Sequence, residues 1–280
     1  MTQEQFHQFQ DVVKEAGKIA YDYFYSPDTN NESKADGSVV TKIDKEIETI
    51  LVTYIKEHFP DDAIVGEEHG VHEGNSGFVW HIDPIDGTDN FLRRIPFCAM
   101  SIARLGDTAE GSCAIVYNPI TKQMFSSYLE TLGDVYENEH LCNLTAESLG
   151  GKYVVALGRG TKEPWMKPSA YELYKGIGMK YGRATSYGCT ALEFAYVAGN
   201  KIDAALTYGL YSYDYAAGLF LVKAAGGAIS VFQDGAWKLW EGNLKELCAE
   251  HGRIIFASHP DTHDEMLDFI GDPKSWSKGA

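Results

Sequence analysis

The sequence predicts a mixed α+β fold. Apolar residues recur at helical spacing over residues 6–23 and again over 43–55, so two amphipathic helices open the chain. Short apolar runs broken by turn residues then fill residues 63–142, a pattern typical of strands. From residue 153 onward, strand and helix patterns alternate. These observations predict two helices, then a largely antiparallel sheet, and then a part that mixes strands with helices.

The first helix ends before Ser26-Pro27, because proline disfavours helix in the residue before it. The polar residues 28–38 predict a loop. Thr41 opens the second helix and Pro60 closes it. The apolar stripe of the second helix consists of Ile43, Ile47, Ile50, Leu51, Tyr54 and Ile55.

Between the second helix and residue 142, turn residues such as Asn118-Pro119 predict hairpins and therefore antiparallel pairing. The strands predicted here are 63–65, 78–82, 99–105, 112–117, 124–128 and 134–136. A polar segment with glycine follows at 147–152. Beyond it we predict strands at 153–157, 202–206, 228–232 and 254–257, and helices at 171–179, 190–198, 213–225 and 261–270.

Composition limits the function. A formal charge of −16 disfavours a nucleic-acid polymer or an anionic membrane as partner, because both would be repelled. No apolar run approaches the roughly 20 residues that span a bilayer, and the first residues are polar, so we expect a cytoplasmic protein. The five cysteines are scattered without C-x-x-C spacing, which is typical of reduced thiols.

Residues 80–91 carry three carboxylates, Asp83, Asp86 and Asp89, within seven positions. Pro84 cannot continue a sheet, so Asp83 ends a strand and Asp86 lies in the following turn. Two like charges about 4 Å apart repel by about 4 kcal/mol at an effective dielectric near 20, so such carboxylates need protons or a cation. Oxygen ligands favour a hard ion, Mg²⁺ before Mn²⁺ or Ca²⁺. The alternative is structural: a stabilised turn and a favourable helix start.

Gly87 and Thr88 predict the start of a short helix after this turn. Its free backbone N–H groups would lie beside the carboxylates, an arrangement that binds phosphate while the carboxylates hold the neutralising cations.

Further acids are candidates for the same site. Glu67 and Glu68 follow a short strand, so one of them can converge on it, although adjacent glutamates also suit a solvated turn. Thr41 followed by Asp44 fits a helix-capping pattern, and Asp214 lies at a helix start. His69, His72, His259 and His263 have no further ligand at zinc spacing, so we predict surface positions for them.

Several separated motifs resemble the inositol monophosphatase family. They are Gly66-Glu67-Glu68, Asp83-Pro84-Ile85-Asp86-Gly87-Thr88-x-Asn90-Phe91, Asp214-x-Ala216-Ala217-Gly218 and Ala225-Gly226-Gly227. The resemblance extends from Lys34, through Val40-Thr41-x-x-Asp44, to Gly227. It implies a layered αβαβα sandwich and a magnesium-dependent, lithium-sensitive phosphomonoesterase that is often a homodimer.

The resemblance also implies roles. Glu67, Asp83 and the main-chain oxygen of Ile85 would hold a first Mg²⁺, and Asp83, Asp86 and Asp214 a second. Glu67 would help with a weaker third ion, giving two or three per site. The reaction would be an in-line attack by a metal-activated water, without a phosphoenzyme.

Catalysis is implied for Asp44, Thr88 and Glu67, with Asp44 and Thr88 orienting and deprotonating the water. Phosphate would lie on the metals and on the N–H groups of Gly87 and Thr88. The substrate-binding set is Ile85, Asp86, Gly87, Thr88, Gly188, Cys189, Thr190, Thr207 and Asp214.

The leaving-group pocket departs from the family pattern. Thr207 stands where a glutamate usually binds substrate hydroxyls, and Thr185 replaces an arginine, although Arg183 is nearby. The resemblance implies a small phosphorylated metabolite of the inositol monophosphate type as substrate. Losing that glutamate removes a charge-assisted hydrogen bond of about 1.5–3 kcal/mol, which weakens the case for inositol 1-phosphate as the best substrate of this type. The alternatives are a histidinol-phosphate phosphatase, a 3′(2′),5′-bisphosphate nucleotidase, or a non-catalytic phosphate-ester-binding protein. Nearby tyrosines could stack on a ring or simply pack.

These expectations divide the chain into two halves of one phosphatase unit. Residues 1–150 would form an α+β half with most metal ligands. Residues 151–280 would form an α/β half with the last metal aspartate and the substrate pocket. The expected partners are a small phosphorylated substrate and a second copy of the chain.

Overall fold

The computed structural model describes residues 1–26, 31–33, 39–128, 134–145, 152–158 and 168–272. The helices in this part are α1 (Gln3–Tyr25), α2 (Lys42–His58), α3 (Thr88–Leu92), α4 (Pro168–Tyr181), α5 (Thr190–Ala198), α6 (Ser212–Ala224), α7 (Leu244–Cys248) and α8 (Pro260–Ile270). None of these helices is long and apolar enough to cross a membrane.

Within the described ranges, the strands fall into three groups. A hairpin pairs β1 (Asn31–Ser33) with β2 (Val39–Thr41). The first large sheet contains β3 (Ala63–Gly66), β4 (Gly70–His72), β5 (Val79–Asp86), β6 (Ala99–Leu105), β7 (Cys113–Asn118), β8 (Gln123–Tyr128), β9 (Tyr136–Glu137) and β10 (His140–Leu141). The second contains β11 (Tyr153–Leu157), β12 (Gly182–Thr185), β13 (Ala204–Tyr208), β14 (Ala228–Gln233), β15 (Ala236–Leu239) and β16 (Ile254–Ser258).

The first sheet has the order β10-β9-β8-β7-β6-β5-β3-β4. All its pairs are antiparallel except β3 with β5, so the predicted antiparallel character is confirmed. The second sheet has the order β12-β11-β13-β16-β14-β15, with parallel pairing among the first three strands and antiparallel pairing in the rest.

The helices and sheets stack in five layers. Phe9 of α1 and Ile47 of α2 belong to the apolar core on one side of the first sheet. Phe194 of α5 and Leu219 of α6 lie in a second core between the two sheets. Met266 of α8 belongs to a third core, which α4 also joins, on the far side of the second sheet. The layered αβαβα sandwich is therefore confirmed.

Several short elements differ from the predicted pattern. Residues 31–33 form a strand inside the predicted loop 28–38, whose remaining residues lie outside the described part of the chain. The strands β4, β12 and β15 were not predicted; each is three or four residues long and lies at a sheet edge, where one-sided pairing leaves little apolar periodicity. The division of the chain near residue 150 stays a prediction.

Candidate metal and phosphate site

The central carboxylates lie where β5 ends. Pairing with β6 is regular as far as Asp83 and resumes at Asp86 with one extra residue on β5. The prediction that the strand ends at Asp83 and that Asp86 lies in the following turn is therefore wrong, because β5 passes Pro84 through a bulge and continues to Asp86. Pro84 has no N–H to give to the ladder, so a bulge here costs little. The Ile85 N–H closes the bulge by donating to Asp83 Oδ1 at 2.9 Å. The sheet thus holds both aspartates at one rigid strand end.

Gly87 turns the chain from β5 into α3, as predicted. Its φ of 85° is in the left-handed region, which favours glycine. Space is also limiting, because a Cβ there would lie 3.1 Å from both the Cys189 Cβ and the Gly188 carbonyl oxygen. Thr88 begins α3, and its hydroxyl donates to the Ile85 carbonyl oxygen at 3.0 Å. The predicted phosphate-side residues therefore lie against the turn at 188–189 from the second half of the chain.

Asp83, Asp86 and Asp214 form what we call the carboxylate cluster. Burial raises the pKa of Asp83 well above its usual value, and the charges of Glu67 and Asp86 raise it further. Burial raises the pKa of Asp86 to about 7, although the Ala191 N–H, 2.6 Å from Oδ2, acts in the opposite direction. Burial and Asp86 raise the pKa of Asp214, which is hydrogen-bonded to Asp83. Carboxylates in this situation are neutralised by protons or by a cation.

Asp214 reaches the cluster from the first turn of α6. Its Oδ2 accepts the Tyr211 N–H at 2.8 Å. The Tyr211 and Tyr213 rings are stacked at 5.3 Å, and the His251 ring meets Tyr211 edge-on, also at 5.3 Å. Burial and the neighbouring Asp214 raise the pKa of the Tyr213 hydroxyl. An aromatic surface therefore borders the carboxylates.

Glu67 lies in the turn between β3 and β4, which is held by a residue that sequence reasoning missed. Glu48 of α2 is fully buried and accepts the N–H groups of Glu68 at 2.8 Å and His69 at 2.9 Å. Burial raises the pKa of Glu48, while these two donors lower it. Glu48 therefore fixes the backbone that carries Glu67.

Asp44 lies one helical turn before Glu48 on the same face of α2 and is 3% exposed. Its charge contributes to the raised pKa of Asp83, so it belongs to the same electrostatic environment. The helix begins at Lys42, which is consistent with the predicted start at Thr41, whose side chain lies outside the described residues. Two acids spaced i, i+4 on an otherwise apolar stripe were the available signal for Glu48.

The turn at 187–189 is fixed from both halves of the chain. The Asn90 amide of α3 donates to the carbonyl oxygens of Tyr187 at 2.7 Å and Phe97 at 2.8 Å. Glu193 Oε1 accepts the N–H groups of Tyr187 at 2.8 Å and Gly188 at 3.3 Å. Burial raises the pKa of Glu193 to about 8. Neither side chain had been assigned a role from the sequence.

The other predicted substrate residues differ in accessibility. Cys189 precedes α5, is buried, and is hydrogen-bonded to Asp86 through its thiol. Thr190 begins α5 and is 6% exposed. Thr207 of β13 is only 1% exposed, and its Oγ1 has no hydrogen-bond partner in the described part of the chain. Arg183 is exposed on β12. Their contacts with a substrate stay predictions.

Asp89 and His263 lie in contrasting environments. Asp89 is exposed and pairs with Arg93 at 2.9 Å, so it lies outside the carboxylate cluster. The surface position predicted for His263 is wrong. This side chain is 2% exposed, and its ring nitrogens lie 2.8 Å from the hydroxyls of Ser230 and Ser258. The two hydroxyls provide hydrogen-bond partners for both ring nitrogens, which allows the imidazole to be buried.

The donors suit a hard cation, because the carboxylate cluster and the Ile85 carbonyl offer only oxygen. Within the residues described, no group of three or more His, Cys, Asp or Glu side chains already has the arrangement of a metal site. The fit therefore rests on the chemistry of the donors and on their mutual effect on pKa. The individual ligand roles stay predictions.

A comparison with protein-family models finds a match over nearly the whole chain. A model described as the inositol monophosphatase family matches residues 2–270. The chain belongs to the inositol monophosphatase family. The resemblance seen in the motifs is confirmed by a match that covers both sheets.

Individual relatives within the family carry different names. A Nus factor SuhB of Salmonella typhimurium is 33% identical over 265 residues, covering 92% of this chain and 96% of that protein. The structure of the extragenic suppressor protein SuhB from Bartonella henselae has a TM-score of 0.80 at 22% identity, covering 95% of this chain and 98% of that one. An IMPase from Thermotoga maritima has a TM-score of 0.78 at 23% identity, covering 96% and 97%. At these identities the two structures show the shared fold alone.

Proposed function

We propose that the protein is a Mg²⁺-dependent phosphomonoesterase that hydrolyses a small phosphorylated metabolite. The observation that carries the proposal is the carboxylate cluster, in which β5 supplies the buried Asp83 and the partly buried Asp86, and α6 supplies the partly buried Asp214. Burial raises the pKa of all three, and the charge of Asp86 raises the pKa of the other two further. Repulsion between clustered acids does not stabilise a fold. A bound cation that neutralises them explains why the acids are brought together. Family membership supports the same reaction type.

Glu67, Asp83, the Ile85 carbonyl, Asp86 and Asp214 would hold two or three Mg²⁺ ions. When bound, Mg²⁺ neutralises the cluster, lowers the pKa of a coordinated water and stabilises charge on the phosphate and its leaving oxygen. The protein supplies the fixed donors. Asp86 is oriented by the Ala191 N–H, and Asp214 by the Tyr211 N–H.

Two further side chains would handle the attacking water. The Thr88 hydroxyl donates a hydrogen bond to the Ile85 carbonyl oxygen. The lone pairs of the Thr88 oxygen therefore remain available to accept a hydrogen bond from the attacking water. Asp44 would accept the proton, because it is buried within electrostatic reach of Asp83. A buried carboxylate close to other acids holds a proton more readily than an exposed one.

The substrate would place its phosphate beside Gly87 and Thr88 and its leaving group towards Gly188, Cys189, Thr190 and Thr207. Because Thr207 supplies no carboxylate and is buried, an inositol-type polyol lacks the usual partner there. Histidinol phosphate and a 3′(2′),5′-bisphosphate nucleotide are the alternative substrates. The aromatic surface of Tyr211 and Tyr213 favours a ring-bearing leaving group.

Phosphate release tests the proposal. The assay uses inositol 1-phosphate, histidinol phosphate, adenosine 3′,5′-bisphosphate and fructose 1,6-bisphosphate, each with Mg²⁺ and with a chelator. We expect turnover of at least one ester that requires Mg²⁺ and is inhibited by Li⁺. Absence of metal-dependent turnover on all four would count heavily against a phosphatase. Sedimentation velocity on the same sample tests the expected homodimer.

A second candidate is a non-catalytic role, favoured by the name Nus factor carried by a relative with 33% identity across 92% of this chain. Complementation of a host gene deletion with the Asp86→Asn variant distinguishes the catalytic role from the non-catalytic role. Rescue by this variant favours a role that needs no turnover, whereas failure of a folded variant favours the phosphatase. Calorimetry that detects tight phosphate-ester binding without hydrolysis would also favour the second candidate.

A further inference from the structure

A buried hydrogen bond joins β5 to the first residue of α6. His81 Nδ1 lies 2.9 Å from the Ser212 hydroxyl, across 131 positions of sequence. His81 is 3% exposed and Ser212 is fully buried. Each partner stands two residues before a member of the carboxylate cluster, His81 before Asp83 and Ser212 before Asp214. The bond therefore ties together the two backbone segments that must converge for the cluster to exist.

A second polar contact lies on the other side of Asp83. The Ser101 hydroxyl of β6 donates to the Tyr213 carbonyl oxygen at 2.8 Å. Ser101 is the residue directly opposite Asp83 in the β5–β6 ladder. Residues i and i+2 of a strand, and residues directly opposite each other in a ladder, point to the same face of a sheet. His81, Asp83 and Ser101 accordingly share the face on which α6 packs.

Apolar side chains also pack at this interface, among them Ala103 of β6 and Leu219 of α6. Apolar packing is non-directional and tolerates small shifts of a helix along its axis, whereas a hydrogen bond does not. A shift of one residue moves a helix by about 1.5 Å, enough to break both contacts. The two contacts therefore set the axial position of α6 in a way that apolar packing alone cannot.

We propose that His81 and Ser101 are positioning residues that fix the first turn of α6 so that Asp214 meets Asp83. The inference rests on the proposed Mg²⁺ site, because its benefit is the preorganisation of two carboxylates for a shared cation. Removing a group that orients a metal ligand in this way typically lowers metal affinity by about 10–100-fold. The predicted effect is on metal binding first and on turnover only as a consequence.

The test is calorimetric titration of the full chain with Mg²⁺ alone. Ser212→Ala removes the hydroxyl without adding bulk, and Ser101→Ala does the same on the other side. We expect each to weaken Mg²⁺ binding by about tenfold or more. His81→Leu should match Ser212→Ala, while His81→Asn, which keeps a polar atom near the Nδ1 position, should recover most of the affinity.

The chain offers a matched control in His263, whose Nε2 lies 2.8 Å from the Ser230 hydroxyl in another buried His–Ser pair. Ser230→Ala should lower the melting temperature about as much as Ser212→Ala but leave Mg²⁺ affinity unchanged. Equal loss of affinity in both variants, or unchanged affinity in Ser212→Ala and Ser101→Ala, would overturn the positioning role while leaving the phosphatase proposal standing. A wild-type protein that binds no Mg²⁺ would overturn both.

Discussion

The carboxylate of Glu48 fills the space that a side chain on residue 66 would need. A Cβ added at Gly66 would overlap Oε1 of Glu48 and would lie 2.8 Å from its carboxyl carbon. The φ of Gly66 is not in the left-handed region, so the glycine is required by space and not by conformation. Helix α2 and the strand end before Glu67 therefore pack together closely where Glu48 meets Gly66.

Glu48→Gln should weaken the attachment of the β3–β4 turn to α2 and lower the free energy of unfolding. The Glu68 and His69 N–H groups donate to different oxygens of the Glu48 carboxylate, so in the amide one of them faces an NH₂ group, which cannot accept. One buried donor is left unpaired, which costs about 1–3 kcal/mol of unfolding free energy in urea denaturation. The exposed Glu46→Gln on the same helix is the control and should change stability by less than about 0.5 kcal/mol. Equal effects of the two substitutions would rule out the proposed contact.

Gly66→Ala should destabilise the protein by about 1–3 kcal/mol, because the new methyl group collides with a buried carboxylate. The cause can be isolated by a double-mutant cycle with Glu48→Ala, which removes the colliding atoms. In that background the added methyl group should cost little. If the two substitutions are simply additive, the contact between these residues is not the reason for the glycine.

Asp86→Asn should abolish Mg²⁺-dependent turnover while the fold persists. The Asn side-chain oxygen can still accept the Ala191 N–H, and loss of one charge relieves repulsion in the carboxylate cluster, so the melting temperature should not fall. Losing several kcal/mol of metal-dependent stabilisation corresponds to a rate loss of at least about 100-fold. The exposed Asp89→Asn, three residues later, should behave as wild type. Near-normal turnover in Asp86→Asn would reject its role as a ligand.

His263 should make stability fall in mild acid. Burial lowers the pKa of its imidazole to about 4, below the value of about 6.5 in an unfolded chain. The unfolded state therefore binds the proton first as the pH decreases, and stability that is complete above about pH 6.5 is lost as the pH falls towards 4. Between pH 8 and pH 5 this residue accounts for about 2 kcal/mol.

Denaturant titrations at both pH values check this expectation. His263→Gln should lose about 2 kcal/mol less than wild type over that interval, because glutamine has no proton to gain. Exposed His7→Gln should follow the wild-type curve. A His263→Gln curve parallel to that of wild type would contradict the assignment.

Short stretches of sequence were enough to predict much of the candidate site. The residues between Trp80 and Phe91 predicted the turn at Gly87 and the helix start, because glycine acts within a few positions of itself. They did not predict the bulge that carries β5 past Pro84 to Asp86, because that bulge depends on pairing with β6. The apolar stripes of α1, α2 and the helices between the sheets were predicted for the same reason, since their periodicity is visible in one short window. The family resemblance then linked Glu67 and Asp214 to that stretch.

Contacts between distant segments were decided by the tertiary structure alone. Glu48 reads as one more charge on a helix until packing places it 2.8 Å from the Glu68 N–H. His81 and Ser212 are 131 positions apart, and no periodicity relates them. The burial of Thr207 and His263 likewise depends on which strand and helix cover them.

The sequence by itself determined which residues could hold a cation and the α+β class, because both follow from short patterns of residue type. Only the tertiary structure decided how the carboxylate cluster is held together and what supports it. The physical reason is that a buried polar group is stable only when a partner is supplied, and here that partner comes from a different layer of the fold.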